Sequence, residues 1–140
     1  YKRQAPEHPH DLPAHKGLFY QLNDIVYDVW TFTKDDQDFK IKMSGDRTSN
    51  DGDMVRRWCA SGKGLAVKSC LDVSNDLLEG KVVNAMPEYK PRTTEFWMIC
   101  PSRQLITPAT RLMRDMLKKK CATTLKDLIK NGFIDEKFLS

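Results

Sequence analysis

Apolar and polar residues recur along this 140-residue chain at two different periods, and each change of period marks the border of an element. An opening rich in proline (Pro6, Pro9, Pro13) leads to a short capped turn over residues 11–15, with Asp11 at its N-cap and Pro13 in the first turn, where a missing N–H costs little. Residues 17–22 then read as a strand. A second strand over residues 26–33 is rich in β-branched and aromatic side chains, and a third over residues 39–43 alternates cleanly between the two faces. The charged residues 34–38 between them form a hairpin turn.

From residue 48 the period changes to that of a helix. Met54, Val55, Trp58 and Cys59 fall on one stripe, while Arg56 and Arg57 point away from it. Ser49 or Asn50 caps the N-terminus, Asp51 and Asp53 complement the helix dipole, and Gly62 takes the left-handed conformation that ends the helix. Residues 65–67 enter a buried strand. A short helix over residues 72–79 is stopped by Gly80 and feeds a strand over residues 81–86. The nearly all-apolar residues 95–100 have the composition of a strand covered on both faces, inside a sheet. Thr107 and Pro108 open a helix striped by Ala109, Leu112, Met113, Met116 and Leu117. A weaker last helix spans residues 124–130, capped by Thr123 or Thr124 and ended by Gly132. Strands and helices in alternation point to an α/β fold.

Composition adds exclusions. No apolar run approaches the roughly 18 residues of a membrane helix, so no membrane partner is expected. The first six residues lack the apolar segment of a secretory signal. The formal net charge of +4 is concentrated between Arg111 and Lys130 around Lys118, Lys119 and Lys120. It reads as a solvated helix face, because no aromatic residues interleave with the charges as single-strand binding would need. Cys59, Cys70, Cys100 and Cys121 form no C-x-x-C pair and stand beside apolar neighbours, which suits reduced thiols of a cytoplasmic protein. His8, His10 and His15 lie in a turn-rich segment without a nearby cysteine, so no metal and no cofactor is expected. No Ser/His/Asp or Cys/His arrangement takes a fold position, so the chain reads as a non-enzyme.

Several segments, taken in order, carry a likeness. They are Ser49-Asn50-Asp51-Gly52-Asp53 at the entry of the striped helix, Gly62-Lys63-Gly64-Leu65-Ala66 at its exit, Leu71-Asp72-Val73 with Leu77-Leu78-Glu79-Gly80, and the strand from Val82 to Pro87. Pro6 to Leu12 with His15, and Cys100-Pro101-Ser102-Arg103 before the Thr107 helix, flank them. Together, over about residues 5–117, they resemble the effector-binding domain of LysR-type transcriptional regulators. Lys63 departs from the usually apolar middle of the G-x-G, and Ser69 stands where many members have proline.

The resemblance implies a periplasmic-binding-protein-like (type II) fold: two α/β lobes with a small effector in the cleft. It assigns residues 1–90 to the second lobe, 91–120 to the return strand and helix of the first lobe, and 121–140 to a C-terminal tail helix. It further implies an N-terminal winged helix-turn-helix, through which the parent protein meets DNA; none precedes Tyr1, so a fragment of a longer regulator is expected. Effector contacts fall on Thr48, Ser49, Asn50 and Asp51, where free helix N–H groups receive a carboxylate or other polar group, and on Lys68 or Ser69. The effector would be an organic acid or another small polar or aromatic metabolite. Without the early strands of the first lobe, residues 96–100 would have an exposed edge, so self-association is expected, or cover by the tail through Phe133, Ile134, Phe138 and Leu139. Two other readings remain: a dimerisation module without a ligand, and direct nucleic-acid binding through Arg111, Arg114 and the three consecutive lysines.

Overall fold

The computed structural model describes residues 5–138. Its opening turn is a 3₁₀ segment, Pro9–Ala14, whose N-cap is His8 rather than Asp11. Asp11 instead takes the third position of a capping box and receives the His8 backbone N–H at 2.9 Å. Strand β1 (Leu18–Leu22) forms where expected, and Asn23 and Asp24 turn the chain into β2 (Ile25–Val26) with positive φ at both turn residues. That geometry suits the right-handed twist of a two-residue hairpin, which Asn and Asp tolerate.

The strand expected over residues 26–33 is broken at Tyr27 and Asp28, so β3 is Val29–Lys34. It pairs antiparallel with β4 (Gln37–Lys42) across a turn reduced to Asp35 and Asp36. Register places Phe32 opposite Phe39 and Trp30 opposite Ile41. A further strand, β5 (Arg47–Ser49), runs parallel to β1, with Phe19 opposite Thr48. Helix α1 (Gly52–Ala60) follows, and the chain returns to β1 at Leu65, which forms an isolated parallel bridge with Gly17. Gly64 lies so close to this return that a Cβ would stand 2.5 Å from the Lys16 carbonyl oxygen.

The next elements are α2 (Ser74–Leu78), the two-residue β6 (Lys90–Pro91), which pairs with β3, and α3 (Pro108–Lys130). The six named strands make two three-stranded sheets, ordered β2-β1-β5 and β4-β3-β6. The content is mixed α/β. One core packs Leu12, Phe19, Trp30, Phe32, Ile41, Met43, Met86 and Tyr89 between the sheets and the opening turn. A second joins Val73 and Leu77 of α2 to Leu128 of α3, with Phe133 and Ile134 against it.

Three expected strands are absent. Residues 65–67 make only the single bridge, and residues 81–86 have no ladder partner, although Met86 is buried in the first core. Residues 95–100 are irregular, with Phe96 81% and Ile99 86% exposed. An apolar run becomes a buried strand only when another backbone pairs with it, and none of the described strands does so here. The two helices expected after Thr107 are one, since Lys118 to Thr123 contain no helix breaker and the turns join without interruption. The tail covers α2 and the end of α3 through Phe133 and Ile134, while Leu112 and Met116 at its other end stay exposed. Leu139, named for the same cover, lies outside the described residues, and nothing is described of the Phe138 side chain.

Candidate functional site

The entrance of α1 is built by β5, which β1 holds in an extended path up to Ser49. Thr48 and Asn50 are exposed there, and Ser49 is half-buried. The helix cap is Asp51, not Ser49 or Asn50. Its backbone is extended, and its Oδ1 accepts the N–H groups of Asp53 at 2.8 Å and Met54 at 3.4 Å. Ser49 Oγ instead accepts the Asp51 N–H at 3.0 Å. The cause is position: Ser49 is committed to the β1 pairing, so the first residue free to turn into the helix is two places later. Two of the leading amides expected to receive a ligand are thereby satisfied within the chain.

Lys68 is brought to this entrance from the segment after Gly64. Its Nζ donates to the Gly52 carbonyl oxygen at 2.9 Å and pairs with Asp72, and its side chain is only 13% exposed. Ser69 beside it is exposed, and its carbonyl oxygen receives the N–H groups of Asp72 and Val73. The structure therefore gathers Lys68 and the start of α1, while Ser69 looks to the turn that begins α2.

Behind the entrance lies an ion network that the amphipathic pattern did not disclose. Arg56 donates from Nε to Asp53 at 2.8 Å and from Nη1 to Asp76 at 2.7 Å, and the Asp76 side chain is only 6% exposed. These charge-assisted bonds hold the guanidinium protonated beyond its already high range, while Arg56 pulls the Asp53 carboxyl below the usual carboxylate value. Asp53 also pairs with Arg57, at 2.7 Å. The sequence pattern, which turned Arg56 away from the apolar stripe and toward solvent, left no trace of this reach to α2.

A cavity of about 470 Å³ opens between the β3–β6 pair, residues 65–70, α2 and the Phe133–Ile134 corner. Phe32, Tyr89, Val73, Leu77 and Val82 supply apolar walls, and Lys68, Ser69, Lys90, Arg92, Thr93 and Thr94 supply polar groups. Lys68 and Ser69 are thus on its lining; Thr48, Ser49, Asn50 and Asp51 are not. Cys59 also borders the cavity, and burial pushes its thiol pKa up, the thiolate being the form that desolvation penalises. All four cysteines are free and half-buried. The stretch from Tyr89 to Thr94 was not among the expected site residues; an aromatic followed by two cations was the available signal. A neighbouring hollow of about 510 Å³, lined by Ala5, Pro6, Glu7 and residues 85–89, is acidic instead.

Among the described residues no three His, Cys, Asp or Glu side chains gather as a metal site. His8 stacks on His10 at 5.0 Å and meets Phe39 and Tyr89 edge-on. No helix among the described residues is long and apolar enough to cross a membrane.

The model of the LysR substrate binding domain matches residues 1–122. The chain is 31% identical over 115 residues to the HTH-type transcriptional regulator DmlR of Escherichia coli K12, covering 82% of this chain and 37% of that protein. It is 30% identical over 98 residues to the HTH-type transcriptional activator TtdR of the same strain, covering 70% and 31%. A more distant likeness, 26% over 125 residues, is to the HTH-type transcriptional regulator CrgA of Neisseria meningitidis, covering 89% and 41%. These relatives are named as regulators, none as an enzyme, and the chain spans about a third of the length of the first two. With nearly nine-tenths of its length under one family model and mixed α/β content to match, the chain belongs to the LysR substrate-binding domain family.

Proposed function

We propose that this chain is the effector-sensing part of a cytoplasmic LysR-type regulator, binding a small organic acid or another small polar or aromatic metabolite. In this reading residues 1–90 are largely the second lobe, residues 91–120 return to the first, and residues 121–140 form the tail. DNA is met only through a winged helix-turn-helix of the parent protein, and the regulator acts as a homo-oligomer. The effector is read by Thr48, Ser49, Asn50 and Asp51 at the α1 entrance and by Lys68 and Ser69. The carrying observation is Lys68: one largely buried ammonium contacts the start of α1 and also borders the 470 Å³ cavity. A buried lysine holding a carbonyl oxygen and a carboxylate keeps a strong donor available where a polar ligand group would arrive.

A thermal-shift screen of small organic acids and aromatics tests this. A ligand at one hundred times its Kd adds about 2.7 kcal/mol by mass action, a rise in Tm of roughly 10 °C for a domain of this size. The expected outcome is a dose-dependent rise with at least one class, lost in Lys68→Ala. If the whole panel leaves Tm unmoved at millimolar concentration, the second reading, a dimerisation module without ligand, takes its place. That reading is favoured by one observation, the apolar residues Leu112, Met113 and Met116 exposed on α3.

A further inference from the structure

The opening turn Pro9–Ala14 covers one side of the first core and is fastened there by a histidine. Pro9 has no N–H, so the first amide of the turn that needs a partner is that of His10. His8 supplies one: its Nδ1 accepts the His10 N–H at 3.2 Å, while Asp11 Oδ2 accepts the backbone N–H groups of His8 at 2.9 Å and Glu7 at 3.3 Å. The same imidazole is half-buried, stacks on the His10 ring at 5.0 Å, and meets Phe39 of β4 and Tyr89 edge-on at 5.1 and 5.8 Å. Pro9 and Leu12 of the turn are buried, as is Tyr89, and Leu12 and Tyr89 also border the cavity of about 470 Å³. One side chain thus makes the first hydrogen bond of the turn and seats it against the sheet.

We propose that this turn is an acid-sensitive latch: protonation of His8 abolishes the acceptor that caps Pro9–Ala14 and loosens the turn from β4 and Tyr89. A neutral imidazole has one accepting nitrogen, here Nδ1, and an imidazolium has none, so a proton sets two donors face to face at the cap. Imidazole is the side chain whose ordinary charge change lies between about pH 5 and 8. The charged neighbours do not offset the loss. Asp11 attracts an imidazolium, but a ring that turns to that carboxylate leaves the His10 amide uncapped; Glu7 is exposed and screened by water, and a charged His10 repels across the stack. From β3, Lys34 lies over the Tyr89 ring at 4.9 Å and pairs with Glu88, whose carboxyl it holds below the usual range, so this pair keeps its charges as the pH falls. On β4, Phe39 is flanked by Asp38, bonded to Thr33, and by the exposed Lys40. His15 closes the far end of the turn through its backbone N–H, donated to the Leu12 carbonyl oxygen. The latch sets how firmly one wall of the cavity is held, whatever the cavity contains.

The test is amide hydrogen exchange of the full chain, followed by NMR at about pH 7.5 and about pH 5.5, with each rate divided by the intrinsic rate at that pH; ordinary carboxylates stay ionised at both values while histidines change charge. The amides to watch are those of Asp11 and His15, which donate to the His8 and Leu12 carbonyl oxygens. Their protection should fall about fivefold on acidification, the population shift of one lost cap, while the amides of α1 stay unchanged. His8→Asn keeps an accepting cap that does not titrate, so it should remove the fall; His10→Gln and His15→Gln should each retain one. Unchanged protection in the wild-type chain, a fall that persists in His8→Asn, or one abolished by His10→Gln or His15→Gln overturns the latch. An equal fall in α1 overturns it as well, since the response is then global. If His8→Asn is unprotected already at the higher pH, His8→Asp, a cap ionised at both values, decides: protection restored and insensitive to pH supports the latch, whereas none assigns the hold to the ring contacts with Phe39 and Tyr89 and overturns it.

Discussion

At the α1 entrance three adjacent residues, Ser49, Asn50 and Asp51, are all good helix caps, and pairing between strands decides among them. β5 stays extended along β1 through Ser49, so Asp51 is the residue whose carboxylate reaches the Asp53 and Met54 amides. Local preference could name the group of candidates but not the winner, because the deciding contact lies some thirty residues away in sequence. Asp51→Ala should lower unfolding stability by about 1 kcal/mol, read as a lower urea midpoint at unchanged slope. The same remoteness hid Arg56, whose partner Asp76 stands on a different helix, twenty residues on. Glycine, by contrast, was legible. Gly62 and Gly132 have φ of +70° and +74°, and each is followed by a residue whose N–H returns to the last turn: Lys63 to the Trp58 carbonyl oxygen and Phe133 to that of Leu128. Few other residues accept that backbone, so the chemistry of the stop is written locally.

At the scale of elements, what succeeded was the period and what failed was the partner. Alternation found β4, β-branched and aromatic composition found β3, and the apolar stripe with its acidic start and glycine stop found α1. The strands expected over residues 81–86 and 95–100 had the right composition and no neighbouring backbone to complete them. The two ends of α3 carry similar apolar residues with opposite fates: Leu128 is fully buried against Val73 and Leu77, while Leu112 is 65% exposed. Leu128→Ala should therefore cost about 2–5 kcal/mol through lost contacts and a cavity, and Leu112→Ala close to nothing in a monomer, both measured by chemical denaturation. A large cost at Leu112 would mean that its end of the helix is covered in solution.

The molecule as a whole leaves an apolar surface along residues 96–99 and the first turns of α3, with Phe96, Trp97, Ile99, Leu112 and Met116 all more than half exposed. Exposed apolar residues in this number favour association where they share a patch. Sedimentation should show mass rising with concentration, and Leu112→Asp with Met116→Asp should hold the chain monomeric; a monomer at every concentration would remove the homo-oligomer from the proposed function. Family membership was legible because it rests on the order of many weak signals over most of the chain. The cavity wall at Lys90 to Thr94 was not, since it depends on the pairing of β6 with β3 across some sixty residues of sequence. The joints between helices have a mechanical corollary. Lys68 and Arg56 fasten α1 to the α2 region at two points, and α2 packs on α3 through Leu128, the one fully buried residue of α3 among the described residues. From that grip to Pro108 the helix reaches roughly 30 Å, so a tilt of about 1° at the fastened end carries the far tip about 0.5 Å. Whatever rests on the tip of α3 is thus displaced by an amount that grows with its distance from the pivot, as at the end of a lever arm.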